Sequence, residues 1–233
     1  MRTYVPLSLA LLAFAPQNAA AKGVTHVRSS ASTTPKSIIS GGGAVDSQYI
    51  FSDLHVQNDK PTAKLWASID TAGIGLKGCS VDLFGAHGLT SKVGREIDIG
   101  GSCHFDLSKD VKADVSVSRY ILGGATDITT LKGKVSYGPA DITVTQYIVD
   151  GAEPDATKVE LGYTKTVTET LSLRGVLVYE HGFGLHDIVV GGMECNLKVA
   201  PNFYLTGAVY APVSKHKKDY RETQASVGTT FTF

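Results

Sequence analysis

From Ser47 to the C-terminus the chain alternates apolar and polar positions with a period of two. In the last segment Ala225, Val227, Thr229, Phe231 and Phe233 share one face, and Gln224, Ser226, Gly228, Thr230 and Thr232 the other. Ile97, Ile99, Gly101, Cys103, Phe105 and Leu107 alternate likewise with Glu96, Asp98, Gly100, Ser102, His104 and Asp106. Phe203, Leu205, Gly207, Val209 and Ala211 repeat the pattern. Strict alternation marks strands with one apolar face. No stretch carries the 3.6-residue period of an amphipathic helix. Segments bounded by Gly, Pro, Asn or Asp give about twelve strands, with ten as the smaller count. They begin near Gln48, Thr62, Gly75, Glu96, Val111, Asp127, Ala140, Thr157, Thr170, Asp187, Asn202 and Glu222.

Most of these segments reach the ~9–11 residues that a tilted strand needs to cross a bilayer. Their connections alternate in length. Ser108 to Asp110, Gly138-Pro139 and Ala200-Pro201 are short; Ala86 to Arg95, Asp150 to Ala156 and Pro212 to Arg221 are longer. Short turns at one end and longer loops at the other are the layout of an outer-membrane barrel. A soluble sandwich or lipocalin-like barrel gives the same parity with its apolar face buried, so parity alone does not decide. Export decides it together with the even strand count and the loop alternation. No external loop is long enough to serve as a lid or a folded-in constriction.

The N-terminus supplies the export signal. Arg2 precedes the short apolar run Leu7 to Ala15, and Asn18-Ala19-Ala20-Ala21 closes it with small residues, as in a secretory signal peptide. The expected organisation is a signal peptide over residues 1–21, a flexible Ser/Thr/Gly-rich leader over 22–46, and an all-β antiparallel transmembrane barrel over 47–233. The final aromatic, Phe233, with apolar residues alternating upstream, resembles the signal that barrel-assembly machinery reads. The expected location is the bacterial outer membrane.

Composition narrows the partners. Lys and Arg number 22, Asp and Glu 22, so no basic stripe offers itself to nucleic acid. Hydrophobic residues at 42% exclude a disordered chain. A mean hydropathy of +0.03 is too low for a bundle of spanning helices. The partners that remain are the lipid bilayer and small solutes. Charges that break the apolar face (Lys77, Lys165, Arg119) fall near strand ends, where their head groups reach water. Tyr137, Tyr163, Tyr179 and Phe203 lie on the same face near strand ends, as interfacial aromatic girdles do.

Candidate chemistry is sparse. A barrel-embedded hydrolase needs an outward Ser beside an outward His, and the histidines fall in loops, near strand ends or on the polar face. His181 and His186 share a segment with Glu180 and Asp187, which reads as a solvated loop before it reads as a metal site. No HExxH, CxxC or phosphate-binding glycine motif occurs. No cofactor and no catalysis are expected. Cys79 and Cys103 face each other on the lipid side if their hairpin centres near Ser91. Export permits a disulfide there, although two free thiols are the expected state, with Cys195 unpaired either way.

By parity the lumen carries Lys64, Lys112, Lys132, Lys134, Lys158, Arg174 and Lys198 against a modest excess of acids, including Asp82, Asp98, Glu160 and Glu194. Near mid-height Lys132, Lys134 and Arg174 are expected to confront Asp82 and Glu194 across the lumen. Opposed charge ladders orient solutes in a narrow polar pore, so Asp82, Lys132, Lys134, Arg174, Glu194, Asp98 and Glu160 are the candidate pore-lining residues. The same charges, with Trp66, Tyr120, Tyr147 and Tyr204 also inward, could instead fill a closed structural or adhesive barrel.

Asp46-Ser47-Gln48-Tyr49-Ile50-Phe51, followed by Asn58-Asp59-Lys60-Pro61, resembles the opening hairpin of the proteobacterial TorF-type porin family. Glu96-Ile97-Asp98-Ile99-Gly100-Gly101 resembles that family's acidic Glu-x-Asp strand. Ser52-Asp53 stands where the family has Arg-Gly. The resemblance implies a small outer-membrane barrel and a pore with no established substrate, and it tips the reading from the closed barrel toward a channel for passive diffusion of small polar or ionic solutes.

Overall fold

The computed structural model describes residues 38–50, 56–90, 95–122, 126–151, 155–182, 185–213 and 222–233. The signal peptide and the first part of the leader lie outside the described residues. The strands are β1 (Ile39–Asp46), β2 (Tyr49–Ile50), β3 (Val56–Asn58), β4 (Thr62–Asp70), β5 (Cys79–Gly88), β6 (Glu96–Asp106) and β7 (Val111–Leu122). They continue as β8 (Ile128–Tyr137), β9 (Ala140–Val149), β10 (Ala156–Thr166), β11 (Leu171–Gly182), β12 (Leu185–Ala200), β13 (Phe203–Pro212) and β14 (Gln224–Thr232). Strands β4 to β14 form an antiparallel meander, and β1 pairs with both β4 and β14 to close it. The result is a closed barrel of twelve strands; β2 and β3 form a separate small hairpin.

The first wall strand is therefore not the segment from Gln48. It is Ile39–Asp46, inside the stretch expected to be a flexible leader. Its glycines answer a packing need rather than a need for mobility. A Cβ on Gly42 would stand 2.2 Å from the Phe231 carbonyl oxygen and 2.6 Å from the Trp66 ring. The seam that closes the barrel thus admits only glycine there. Phe233 donates its N–H to the Gly41 carbonyl at 2.9 Å, which ties the C-terminus to the start of β1.

The two ends of the barrel differ. Both described chain ends and the turns around residues 107–110, 138–139, 167–170 and 201–202 lie at one end. The strand ends Asp46, Thr62, Gly88, Glu96, Leu122, Ile128, Val149, Ala156, Gly182, Leu185, Pro212 and Gln224 lie at the other, the loop end. The exception is the turn after β4, which takes a short 3-10 segment at Ala72–Ile74, so β5 starts at Cys79 and not near Gly75.

Burial follows parity. Leu65, Leu83, Ile99, Val117, Leu131, Val144, Leu161, Leu177, Met193 and Val209 are exposed on the outer face, with Tyr137, Tyr163, Tyr179 and Phe203 toward its ends. Apolar side chains left bare all round a barrel are what a hydrocarbon environment requires and what water penalises. Cys79 and Cys103 are directly opposed in register on this outer face, and they are joined in a disulfide. The expected free thiols are corrected by that bond, whose partners the β5–β6 register places side by side. Cys195 remains a free thiol.

The lumen as candidate functional site

The loop half of the lumen is occupied by the chain itself. Tyr49 and Ile50 leave the wall after Asp46 and turn inward, where both are buried. Tyr49 packs with Phe84, Tyr120 and Tyr147 on one side of the barrel. Ile50 packs with Val176, Val178, Val190 and Tyr210 on the other. Burying each such side chain contributes about 1.5–3 kcal/mol. Pairing Tyr49 with Asn58 and Ile50 with Val56 satisfies backbone groups within the hairpin. Gln48 Nε2 donates to the Ala225 carbonyl, and the Ser47 N–H to that of Val227 at 2.8 Å, fixing the hairpin's root on β14. Lys64 Nζ lies 3.9 Å from the centre of the Tyr49 ring and 2.6 Å from Asp46. The expectation that no external loop folds inward is thereby overturned for the first one. A short apolar run cannot reveal, from periodicity alone, whether it joins a wall or fills the space within.

Toward the short-turn end the lumen becomes polar, and Lys112, His104 and Lys198 on its wall are exposed. Arg174 on β11 is the hub at mid-height. Its guanidinium donates to Glu160 at 2.7 Å, to Asp141 at 3.0 Å and to Glu194 at 3.5 Å. Lys134 reaches the same Asp141 at 3.3 Å, and the Tyr210 hydroxyl donates to Glu194 at 2.7 Å. Gly162 makes this possible: a Cβ there would fall 2.3 Å from the guanidinium. Such charge-assisted hydrogen bonds are strong when water is excluded.

All seven charges singled out from the sequence lie on the inner face, but they do not oppose one another as expected. Lys134, Arg174, Glu160 and Glu194 meet on the adjacent strands β8 to β12, joined there by Asp141. Asp82 stands on β5, halfway round the barrel from β11, and accepts from Ser68 at 2.5 Å, Ser102 at 2.7 Å and Ser80 at 2.9 Å. Serine hydroxyls, not the Arg174 side, stabilise that carboxylate. Lys132 sits on the inner face of β8, between Ser116 and Thr145 in register. Asp98 is buried on β6 beneath the hairpin, two residues from Glu96. Glu180 is buried inside while His181 and Asp187 pair at 2.6 Å on the outer rim, so these groups do not converge. Also on that rim, Arg119 binds Asp127 and Asp150 and holds the Asp150 carboxyl below the usual carboxylate range.

Sequence reasoning missed the inward hairpin and the glycine seats; parity puts Asp141 in the lumen but does not join it to Arg174. The seats left a signal: Gly162 and Gly192 occupy inward positions, and a Cβ on Gly192 would fall 2.2 Å from the Tyr210 ring. An inward glycine in a wall strand marks where a neighbour's large side chain lies flat.

No family model matches the chain, and no curated protein matches it. Solved structures do. The KdgM porin superposes with a TM-score of 0.56 at 13% identity, over 83% of this chain and 99% of that one. The NanC porin gives 0.53 at 8% identity, over 83% and 98%. A membrane protein solved in work on in-meso crystallization gives 0.62 at 8% identity, over 84% and 83%. At such identities the likeness concerns the fold: the chain is a closed twelve-stranded antiparallel β-barrel of the kind seen in small outer-membrane porins.

Proposed function

We propose that the protein is an outer-membrane channel for passive diffusion of small polar or ionic solutes, narrowed at its loop end by its own first loop. The observation that carries this reading is the sorting of the wall. Apolar side chains cover the outside, while a charged inner face opens toward the short-turn end. The TorF-type resemblance supports the same reading, and part of what carries it, residues 46–51, includes the inward Tyr49 and Ile50. The likeness to the KdgM and NanC porins supports it through the fold.

A second reading has a specific observation behind it. Arg174 is saturated by three acids, and Tyr49 and Ile50 close the loop half with apolar contacts, as a sealed structural barrel requires. Liposome swelling separates the two. Vesicles carrying the folded protein should swell in small neutral and charged solutes and exclude larger oligosaccharides. No swelling in any solute, with the barrel folded, would leave the sealed barrel as the account.

A further inference from the structure

The polar half of the lumen has a charged side and an uncharged one. On the inner faces of β13, β14 and β1 the one described charge is Asp46, which lies at the loop end. From β12 round to β4 this side is lined by Asn196, Tyr204, Thr206, Thr232, Ser40 and Trp66. All six point inward, yet each stays half-exposed or exposed, so the space before them is open. Among the described residues, nothing hydrogen-bonds to the Asn196 amide, the Tyr204 hydroxyl or the Trp66 indole. Asn196 and Thr206 stand directly opposite each other on adjacent strands. Trp66 covers Gly42 at mid-height, where a Cβ would fall 2.6 Å from its ring. Tyr204, the second residue of β13, stands nearer the short-turn mouth.

On the charged side the groups answer one another. His104 lies 2.8 Å from Asp114 and 3.3 Å from Asp106. Lys134, Asp141, Arg174, Glu160 and Glu194 are bound in one network, and Asp82 takes three serine hydroxyls. Lys112 and Lys198 are exposed toward the mouth, where water reaches them. An ion that sheds water inside therefore finds little free counter-charge, and its desolvation goes uncompensated. A neutral hydroxylated solute instead exchanges its bonds to water for equal ones with the uncharged wall. Aromatic faces with a few convergent polar groups are what small-molecule sites are built from. A sugar ring supplies both complements, hydroxyls at its edge and apolar C–H groups on its face.

We propose that this uncharged wall takes small neutral sugars, with Trp66 and Tyr204 meeting their C–H faces and Asn196 and Thr206 their hydroxyls. As a statement about cargo this rests on the channel reading: small neutral sugars become the favoured solutes over amino acids and inorganic ions. As a binding surface it stands on the inner wall of β12, β13, β14, β1 and β4 alone. A sugar moving between the short-turn mouth and mid-height meets Tyr204 and Trp66 in turn.

Trp66 is the chain's one tryptophan, so its emission reads this wall directly. The full-length protein, folded in detergent and verified by heat-modifiable gel mobility, is titrated with methyl β-D-glucopyranoside. Wild type should show a saturable emission change that sodium glutamate at equal osmolality does not give. The Asn196→Ala/Tyr204→Ala double variant keeps the reporter and should lose at least about fivefold in affinity. Lys112→Gln, on the charged side, should bind as wild type does. If the double variant does not fold, each single substitution should weaken binding by itself. No saturable change in the folded wild type would overturn the proposal. So would an equal response to glutamate, undiminished affinity in the Asn196 and Tyr204 variants, or equal weakening by Lys112→Gln. Because emission needs no passage, sugar binding without vesicle swelling in any solute would sink the channel reading alone. Swelling without sugar binding would sink this site alone.

Discussion

Replacing Arg174 by Met removes the one cation that three inward acids share while keeping much of its volume. Breaking a buried ion pair by deleting one partner costs about 3–5 kcal/mol, because the other charge stays buried and uncompensated. Here part of that loss is cushioned. Lys134 still reaches Asp141 at 3.3 Å, and the Tyr210 hydroxyl still donates to Glu194 at 2.7 Å. Glu160 loses its 2.7 Å contact outright. The lower end of the range, about 3 kcal/mol, is therefore expected, or more than about a hundredfold in the folding equilibrium. Urea titration of the protein in lipid vesicles, with the folded fraction read by gel mobility, measures it. Gly162→Ala should destabilise in the same direction, since its methyl carbon occupies guanidinium space. Adding Glu160→Gln and Glu194→Gln to Arg174→Met should recover most of the loss. If Arg174→Met unfolds at the wild-type urea concentration, the network contributes no stability and the reasoning fails.

Three further outcomes are expected. Leu161→Arg, on the outer face near mid-height, should destabilise the barrel in vesicles by about 2–4 kcal/mol; unchanged stability would mean that this face does not meet hydrocarbon. Alkylation after denaturation without reductant should label Cys195 alone, with Cys79 and Cys103 labelled only after reduction, and labelling of all three beforehand would contradict the disulfide. Deleting Phe233 should lower the outer-membrane yield without changing the conductance of barrels that do assemble, because its ring lies outside on the closing seam; an unchanged yield would remove its role in assembly.

The parity of nearly every wall strand is legible in the sequence because the pleat enforces a period of two, and membrane and lumen differ sharply in what they accept. The opposition of Cys79 and Cys103 is legible for the same reason, since a hairpin centre fixes its register. Whether the two thiols are bonded is not. The charged partners are less accessible still. Arg174 meets Asp141, Glu160 and Glu194 because strand stagger brings those residues to one height, and stagger is a property of the closed barrel. The glycines of β1 read as a loose leader because low side-chain bulk marks both flexible chain and tight seams. Tyr49 and Ile50 read as the start of a wall strand because two apolar residues carry no period.

Single-channel recording in planar bilayers tests the central claim most directly. Folded wild-type protein should give discrete conductance steps, and the Tyr49→Ala/Ile50→Ala variant should give larger ones, because those side chains fill the loop half of the lumen. Absence of steps from protein shown to be folded, or steps of one size in both, would contradict a channel narrowed by its first loop.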